Sequence, residues 1–218
     1  MEKKRYEIIY EDQYLIVVNK PSGLLVIPTP NKEPVTLTSL LNEDLDRRGI
    51  EANAYPCHRI DRGTSGLVIY AKGKKAQQLM MEEFRSHSVR KRYIAFVQGV
   101  LRKNLDTIKS FIYNRNKRRV EPAVTAYRVI ERRKAFTVVE VEPVTGRTNQ
   151  IRIHFKGLGH PLVGEDVYAF RRDFKLRFKR LALHAASLEF THPVTKENLS
   201  LSAPLWEEMN DFLEKNKE

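Results

Sequence analysis

Nine consecutive residues, His58-Arg59-Ile60-Asp61-Arg62-Gly63-Thr64-Ser65-Gly66, carry the strongest chemical signal in the chain. They set one carboxylate between two guanidinium groups and follow it with Gly-Thr-Ser-Gly. The flanking cations favour the charged form of Asp61. An ionised carboxylate can serve as a nucleophile or as a base. The glycines permit a sharp turn and close approach of backbone. An Arg–Asp pair closing a turn ahead of a strand would account for the same residues without chemistry. Taken alone, the segment favours that plain structural reading, since paired surface charges are common.

Competing constellations are weaker. Cys57 precedes His58, but neighbours in extended chain point to opposite faces, so no thiol–imidazole pair is expected. A buried, inert cysteine is expected instead. His58, His154, His160, His184 and His192 show no His-x-x-x-His spacing. They are read as hydrogen-bonded structural residues, and no metal site is expected. Thr64-Ser65-Gly66 lacks the Gly-x-Ser-x-Gly elbow of hydrolases.

These residues need elements to position them. Residues 6–10 and 15–19 read as short strands separated by Glu11-Asp12-Gln13. Lys20-Pro21-Ser22-Gly23 is turn chemistry, after which a strand is expected over 24–27 until Pro28-Thr29-Pro30 ends it. Leu37, Leu40, Leu41 and Leu45 share a helical face over 35–48, with Gly49 as a stop. A strand over 67–71 emerges directly from the Asp61 segment. Ala76, Leu79, Met80 and Phe84 predict an amphipathic helix over 74–86. Strands follow over 93–97, 125–130 and 136–141, rich in β-branched and aromatic residues. Residues 148–158 fit both periods. A helix is expected there, with Thr148 as N-cap and Gly157 and Gly159 at its end. Late strands over 181–190 and 199–202 precede a helix opened by Pro204, whose Leu205, Met209, Phe212 and Leu213 would pack on the sheet. With no repeat or linker, the expectation is one α+β domain over 1–218, a mostly antiparallel, bent mixed sheet flanked by helices and loops.

Charge narrows the partner. Thirty-nine Lys and Arg against 27 Asp and Glu give a formal charge of +12. Each phosphate neutralised by such residues releases a counterion, which favours a nucleic-acid partner. Two basic runs, 114–119 and 171–180, lack an apolar pattern and read as phosphate-gripping loops or as plain solvated surface. The single cysteine, the lack of a signal-peptide core behind Met1-Glu2-Lys3-Lys4-Arg5-Tyr6, and the lack of any apolar run near the roughly 20 residues a membrane span needs lead to a cytoplasmic expectation. No heptad or apolar stripe suggests self-association, so a monomer is expected.

A resemblance decides what the Asp61 segment is for. His58-Arg59-Ile60-Asp61-Arg62-Gly63-Thr64-Ser65-Gly66-Leu67 resembles the signature of RluA-type RNA pseudouridine synthases, His-Arg-Leu-Asp, two variable residues, then Thr-Ser-Gly-Leu. Asp12 through Lys20-Pro21-Ser22-Gly23 is similar to the family's amino-terminal motif, and Lys91-Arg92-Tyr93 to its Lys-x-Tyr element. Glu142 to His154, including Thr145-Gly146-Arg147-Thr148-Asn149-Gln150-Ile151-Arg152, resembles its third motif. Gly159-His160-Pro161, Gly164-Glu165-Asp166-Val167-Tyr168, Leu183-His184-Ala185, His192-Pro193 and Ala203-Pro204-Leu205 follow in family order. Asn149 stands where many members have His. The expectation is a short form of the family that starts directly at the catalytic domain, without a separate S4-type RNA-binding domain.

The resemblance implies the pseudouridine synthase fold and isomerisation of uridine in structured RNA, rRNA or tRNA, without cofactor or metal. Asp61 would attack C1′ or remove a ribose proton, and the residues do not choose between these routes. Arg152 would pair with Asp61, and its planar fork suits a carboxylate. Tyr93 would stack on the uracil and help remove the C5 proton, although a tyrosine near its ordinary value of about 10 is a poor base. Ile151 would pack on the base from another side. Arg59 would fill the space left by the flipped nucleotide. Arg62 is expected either on phosphate or in an ion pair, and Arg147 and His58 complete the residues expected to face substrate or RNA. The alternative from another class is an RNA-binding or RNA-folding protein that keeps the fold without the chemistry. A ribonuclease would need His and Lys placed for phosphate chemistry, and no such set is present.

Overall fold

The Leu-Ile-Val-Val run at the start of strand β2 (Leu15–Lys20) is buried throughout, as expected of a short apolar run covered on both faces. Around it the computed structural model describes residues 5–114, 117–169 and 176–217. Among these the chain forms ten strands and four helices, of the α+β class. It divides into two compact units, one from residues 1–90 and 185–204, the other from 91–184 and 205–218.

In the first unit, β1 (Glu7–Glu11) pairs antiparallel with β2, and β2 pairs antiparallel with β4 (Ser65–Lys72). The short β3 (Ala54–Pro56) adds to β4, and β10 (Asn198–Ser202) pairs antiparallel with β9 (Leu183–Thr191), the next strand beyond β4. Helix α1 (Leu37–Arg47) buries the predicted Leu37, Leu40, Leu41 and Leu45. Thr36 closes a capping box with Ser39, and Gly49 turns the chain away with a φ of +67°. Helix α2 (Lys74–Arg85) packs Ala76 and Met80 into a core shared with Leu15, Val17, Leu67, Ile69 and Leu188.

The second unit orders its strands β5 (Arg90–Gln98), β8 (Phe136–Pro143), β7 (Arg119–Arg132) and β6 (Leu105–Asn114), all antiparallel. Helix α3 (Gln150–Gly157) packs Ile151 and Phe155 on one core with Ala95, Val139 and Val141. Helix α4 (Glu207–Lys215) packs Met209 and Phe212 on another with Phe96 and Phe136.

Several expectations are corrected. Residues 24–27 are not a strand: the Leu25 and Val26 carbonyls accept from the Leu37 and Thr38 amides, capping the first turn of α1. The N-cap of α3 is Asn149, not Thr148, while the expected end holds, with Gly157 as the last helical residue and Gly159, at a φ of +77°, just beyond the C-cap Leu158. The last helix begins at Glu207 rather than Pro204, whose carbonyl accepts from Asn19 Nδ2. Strands β3 and β6 were not anticipated. Of the two basic runs, the first has Asn114 at the end of β6, Lys117 and Arg118 in a turn and Arg119 at the start of β7, while 115–116 and, in the second run, 171–175 lie outside the described residues.

Candidate active site

In the first unit the Asp61 segment is a loop between β3 and β4, clasped from below by the turn that ends β2. The Gly23 amide donates to the Arg62 carbonyl at 2.8 Å, and Ser22 Oγ donates to the Gly63 carbonyl at 2.8 Å. Lys20, fully buried, donates from Nζ to the carbonyls of Pro21 and Leu24 at 2.8 Å each and of Arg62 at 3.4 Å. A buried ammonium is costly unless hydrogen-bonded, and here its donors tie two loops together. The Thr64 amide closes a turn on the Asp61 carbonyl at 3.1 Å.

Gly66 explains the glycine of the motif. Its φ is +110°, and a Cβ there would lie 2.3 Å from the Ala185 carbonyl oxygen. No side chain fits where β4 passes β9 so closely. The register sets Gly66 opposite Lys20, so clasp and close approach meet at one rung.

Along the loop, Cys57 and Ile60 are buried, Arg59 and Arg62 exposed, and Asp61 half-buried. Arg62 braces the loop by donating from Nε to the Gly23 carbonyl at 3.0 Å. His58 turns inward: its Nε2 accepts from the Ile69 amide at 3.0 Å and its ring lies 4.6 Å from that of Phe84. The Cys57 thiol is pushed up to about 12 by burial, so it stays protonated near neutral pH.

In the second unit the α3 start is built from side chains. Arg152 makes a bidentate pair with Glu165, Nε to Oε2 at 2.8 Å and Nη2 to Oε1 at 2.6 Å. Its Nη1 donates to Asn149 Oδ1 at 3.2 Å, and its guanidinium lies over the Tyr168 ring at 5.1 Å. Asn149 Nδ2 donates to the Tyr168 hydroxyl at 2.9 Å, closing the cage. Asn149 adopts a left-handed φ of +56°, a conformation that Asn tolerates better than most residues. Glu165 Oε1 also accepts the amides of Asp166, Val167 and Tyr168. Burial alone would raise the Glu165 carboxyl, but Arg152 and these amides outweigh it and hold it below the ordinary range.

The loop into α3 is tied down by buried Gln150, whose Oε1 accepts from Thr145 Oγ1 at 2.6 Å and the Arg147 amide at 3.0 Å. Its Nε2 donates to the Val124 carbonyl and to Thr125 Oγ1, both at 2.9 Å. Tyr93, half-buried on β5, packs against the cluster that contains Ile151. Ile151 is itself only 7% exposed. Arg147 reaches Glu121 at 3.2 Å and the Pro122 carbonyl at 3.2 Å.

Comparison with known proteins settles the family. The RNA pseudouridylate synthase family model matches residues 14–156. The RNA pseudouridine synthase YlyB of Bacillus subtilis, described as uncharacterized, is 38% identical over 95% of this chain and 72% of its own length. The dual-specificity RNA pseudouridine synthase RluA of Pasteurella multocida is 36% identical, over 91% of this chain and 92% of its own. The chain belongs to the RNA pseudouridine synthase family, in its RluA branch.

Among solved structures, human RNA pseudouridylate synthase domain containing 4 superposes with a TM-score of 0.81 at 26% identity, covering 97% of this chain and 93% of its own. The reaction class of this synthase is therefore isomerisation of uridine in RNA. Other motif residues of the synthase have structural partners. His192 Nδ1 accepts from the Val194 and Thr195 amides, which leaves its proton on Nε2, 3.0 Å from Asp12 Oδ2. His154 Nε2 meets Ser110 Oγ at 2.9 Å, and burial lowers its affinity for a second proton. His160 Nδ1 lies 2.7 Å from the Gln98 carbonyl. Among the described residues no helix is long and apolar enough to cross a membrane.

The side chains that residue-by-residue reading left out of the site are Lys20, Glu165 and Tyr168. Lys20 and Glu165 are both buried, and each lies in a motif whose resemblance was noted.

Proposed function

We propose that Asp61 carries the isomerisation, acting on a uridine turned out of a ribosomal or transfer RNA stem-loop into the site. The clasp around residues 61–64 is the observation that carries this reading: a half-buried carboxylate between exposed arginines, on a loop immobilised through backbone carbonyls. Such preorganisation is what a group acting at one sugar atom requires. The N1–C1′ bond breaks, the uracil turns, C5 bonds to C1′, the C5 proton leaves, and N1 takes up a proton, so that substrate and product are isomers.

Arg59, exposed beside Asp61, takes the place of the flipped base by stacking its guanidinium on the neighbours. Arg152, aimed by Glu165, Asn149 and Tyr168, orients the Asp61 carboxylate and keeps it ionised. Tyr93 contacts the uracil and assists removal of the C5 proton, with Ile151 in the apolar wall behind it. Arg147 binds phosphate. Arg62 and His58 act as positioning residues for the loop, given their backbone partners. The reaction needs no cofactor or metal, and the synthase works as a cytoplasmic monomer of one domain.

The test is incubation of wild-type and Asp61→Ala protein with total RNA from a strain lacking the gene, followed by carbodiimide mapping of pseudouridines. New reverse-transcription stops with wild type alone are expected, and they name the target. Empty maps with both proteins, while both bind RNA, would replace the catalytic reading with the RNA-binding one.

A further inference from the structure

The β6–β7 hairpin has two dissimilar faces. On one, the buried Glu121 carboxylate gathers Lys117 at 3.0 Å, Arg119 at 3.1 Å and Arg147 at 3.2 Å, with Asn114 Nδ2 donating at 2.8 Å. The hydrogen bond from Asn114 and those from the cations hold Glu121 down at about 2, so it remains an anion at any physiological pH. Three cations on one carboxylate leave a local excess of positive charge that would otherwise spread apart by repulsion. The Lys117 and Arg119 side chains are 53% and 66% exposed. An ammonium offers three donors and a guanidinium five, and Glu121 takes a minority of them.

On the opposite face, Lys109, Phe111 and Tyr113 of β6 stand across from Val124, Pro122 and Val120 of β7. Phe111 is 75% exposed, Tyr113 58% and Val120 57%. Large aromatic side chains left so open mark a contact surface, and flat rings amid cations suit unpaired bases. Arg147 links the cationic face to the loop that leads into α3 and Arg152.

We propose that this hairpin is an RNA-gripping arm. The cations organised by Glu121 take backbone phosphates of the substrate RNA, and Phe111 and Tyr113 stack unpaired bases of the same RNA. This rests on the synthase reading above and adds to it a second contact surface.

The test measures affinity of a fluorescein-labelled stem–loop RNA with a uridine-rich loop across a salt titration. Lys117→Ala/Arg119→Ala should weaken binding roughly tenfold and flatten the slope of log affinity against log salt by about 1.4, two contacts of ~0.7 each. Phe111→Ser/Tyr113→Ser should weaken binding roughly tenfold while leaving that slope unchanged. Lys74→Ala/Lys75→Ala, which removes the same charge from the exposed start of α2, should change little. Every substituted side chain is exposed, and circular dichroism checks the fold. Lys117→Gln/Arg119→Gln repeats the charge loss with polarity kept.

Equal losses from the hairpin and α2 charge variants, or wild-type binding by the aromatic variant, would overturn the arm. Binding is read without turnover, so the two readings fail separately. Pseudouridine formed by wild type, with hairpin variants binding normally, removes the arm alone. No pseudouridine from wild type removes the synthase reading, and the binding data still judge the arm.

Discussion

The Asp61 loop and the start of α3 are held in contrasting ways. The loop is fixed through backbone: carbonyls of residues 62 and 63 receive the Gly23 amide, Ser22 and Lys20, and Gly66 lets β4 pass against Ala185. Arg152 is fixed through side chains, in a cage of Glu165, Asn149 and Tyr168. Backbone clasping suits a short carboxylate, whose reach is set by where its main chain lies. A long, rotamer-rich arginine needs its far end held. The first design should therefore fail by unfolding, and the second by losing rate while the fold persists.

Gly66→Ala tests the first half most severely. The added Cβ meets the Ala185 carbonyl in a backbone region alanine avoids, at an expected cost of about 3–5 kcal/mol. Chemical denaturation should show it, and a loss under 1 kcal/mol would mean that β4 and β9 can part easily. Lys20→Met should follow, at about 3 kcal/mol, because the carbonyls of Pro21 and Leu24 lose their buried donor and that of Arg62 keeps only the Gly23 amide.

Glu165→Gln probes the cage. It should lower kcat roughly 10- to 100-fold, since small misplacements cost that much, with RNA affinity nearly intact. Unchanged kcat would show that Arg152 needs no such orientation. The same variant has a pH signature. Glu165 is depressed in the native state, so its contribution is complete above the unfolded carboxyl value of about 4.3. It is lost as pH falls through the lower native value. The stability gap between wild type and Glu165→Gln should therefore close on acidification, and a gap that widens would reverse the sign of the argument.

Sequence reading reached the helices and the strands with clean apolar patterns because burial there follows period. It missed β6 because that strand exposes Leu105, Phe111 and Tyr113 while turning Asp106, Ser110 and Asn114 inward, so neither face looks like a core. It made a strand of 24–27 because an apolar stretch whose carbonyls cap a helix has the same composition as one that pairs in a sheet. The Asp61 loop stood out by composition. Its Lys20 clasp did not, because a lysine before Pro-Ser-Gly reads as exposed turn until its burial is known. Glu165 lies 13 positions from Arg152, a separation with no periodic signature.

The central claim is that Asp61 performs the chemistry rather than serving the fold. Substrate RNA carrying tritium at C5 of uridine releases label to water when the C5 proton departs. Wild-type protein should release it, and Asp61→Ala should release none while binding the same RNA with wild-type affinity. Release by Asp61→Ala at the wild-type rate would contradict the account.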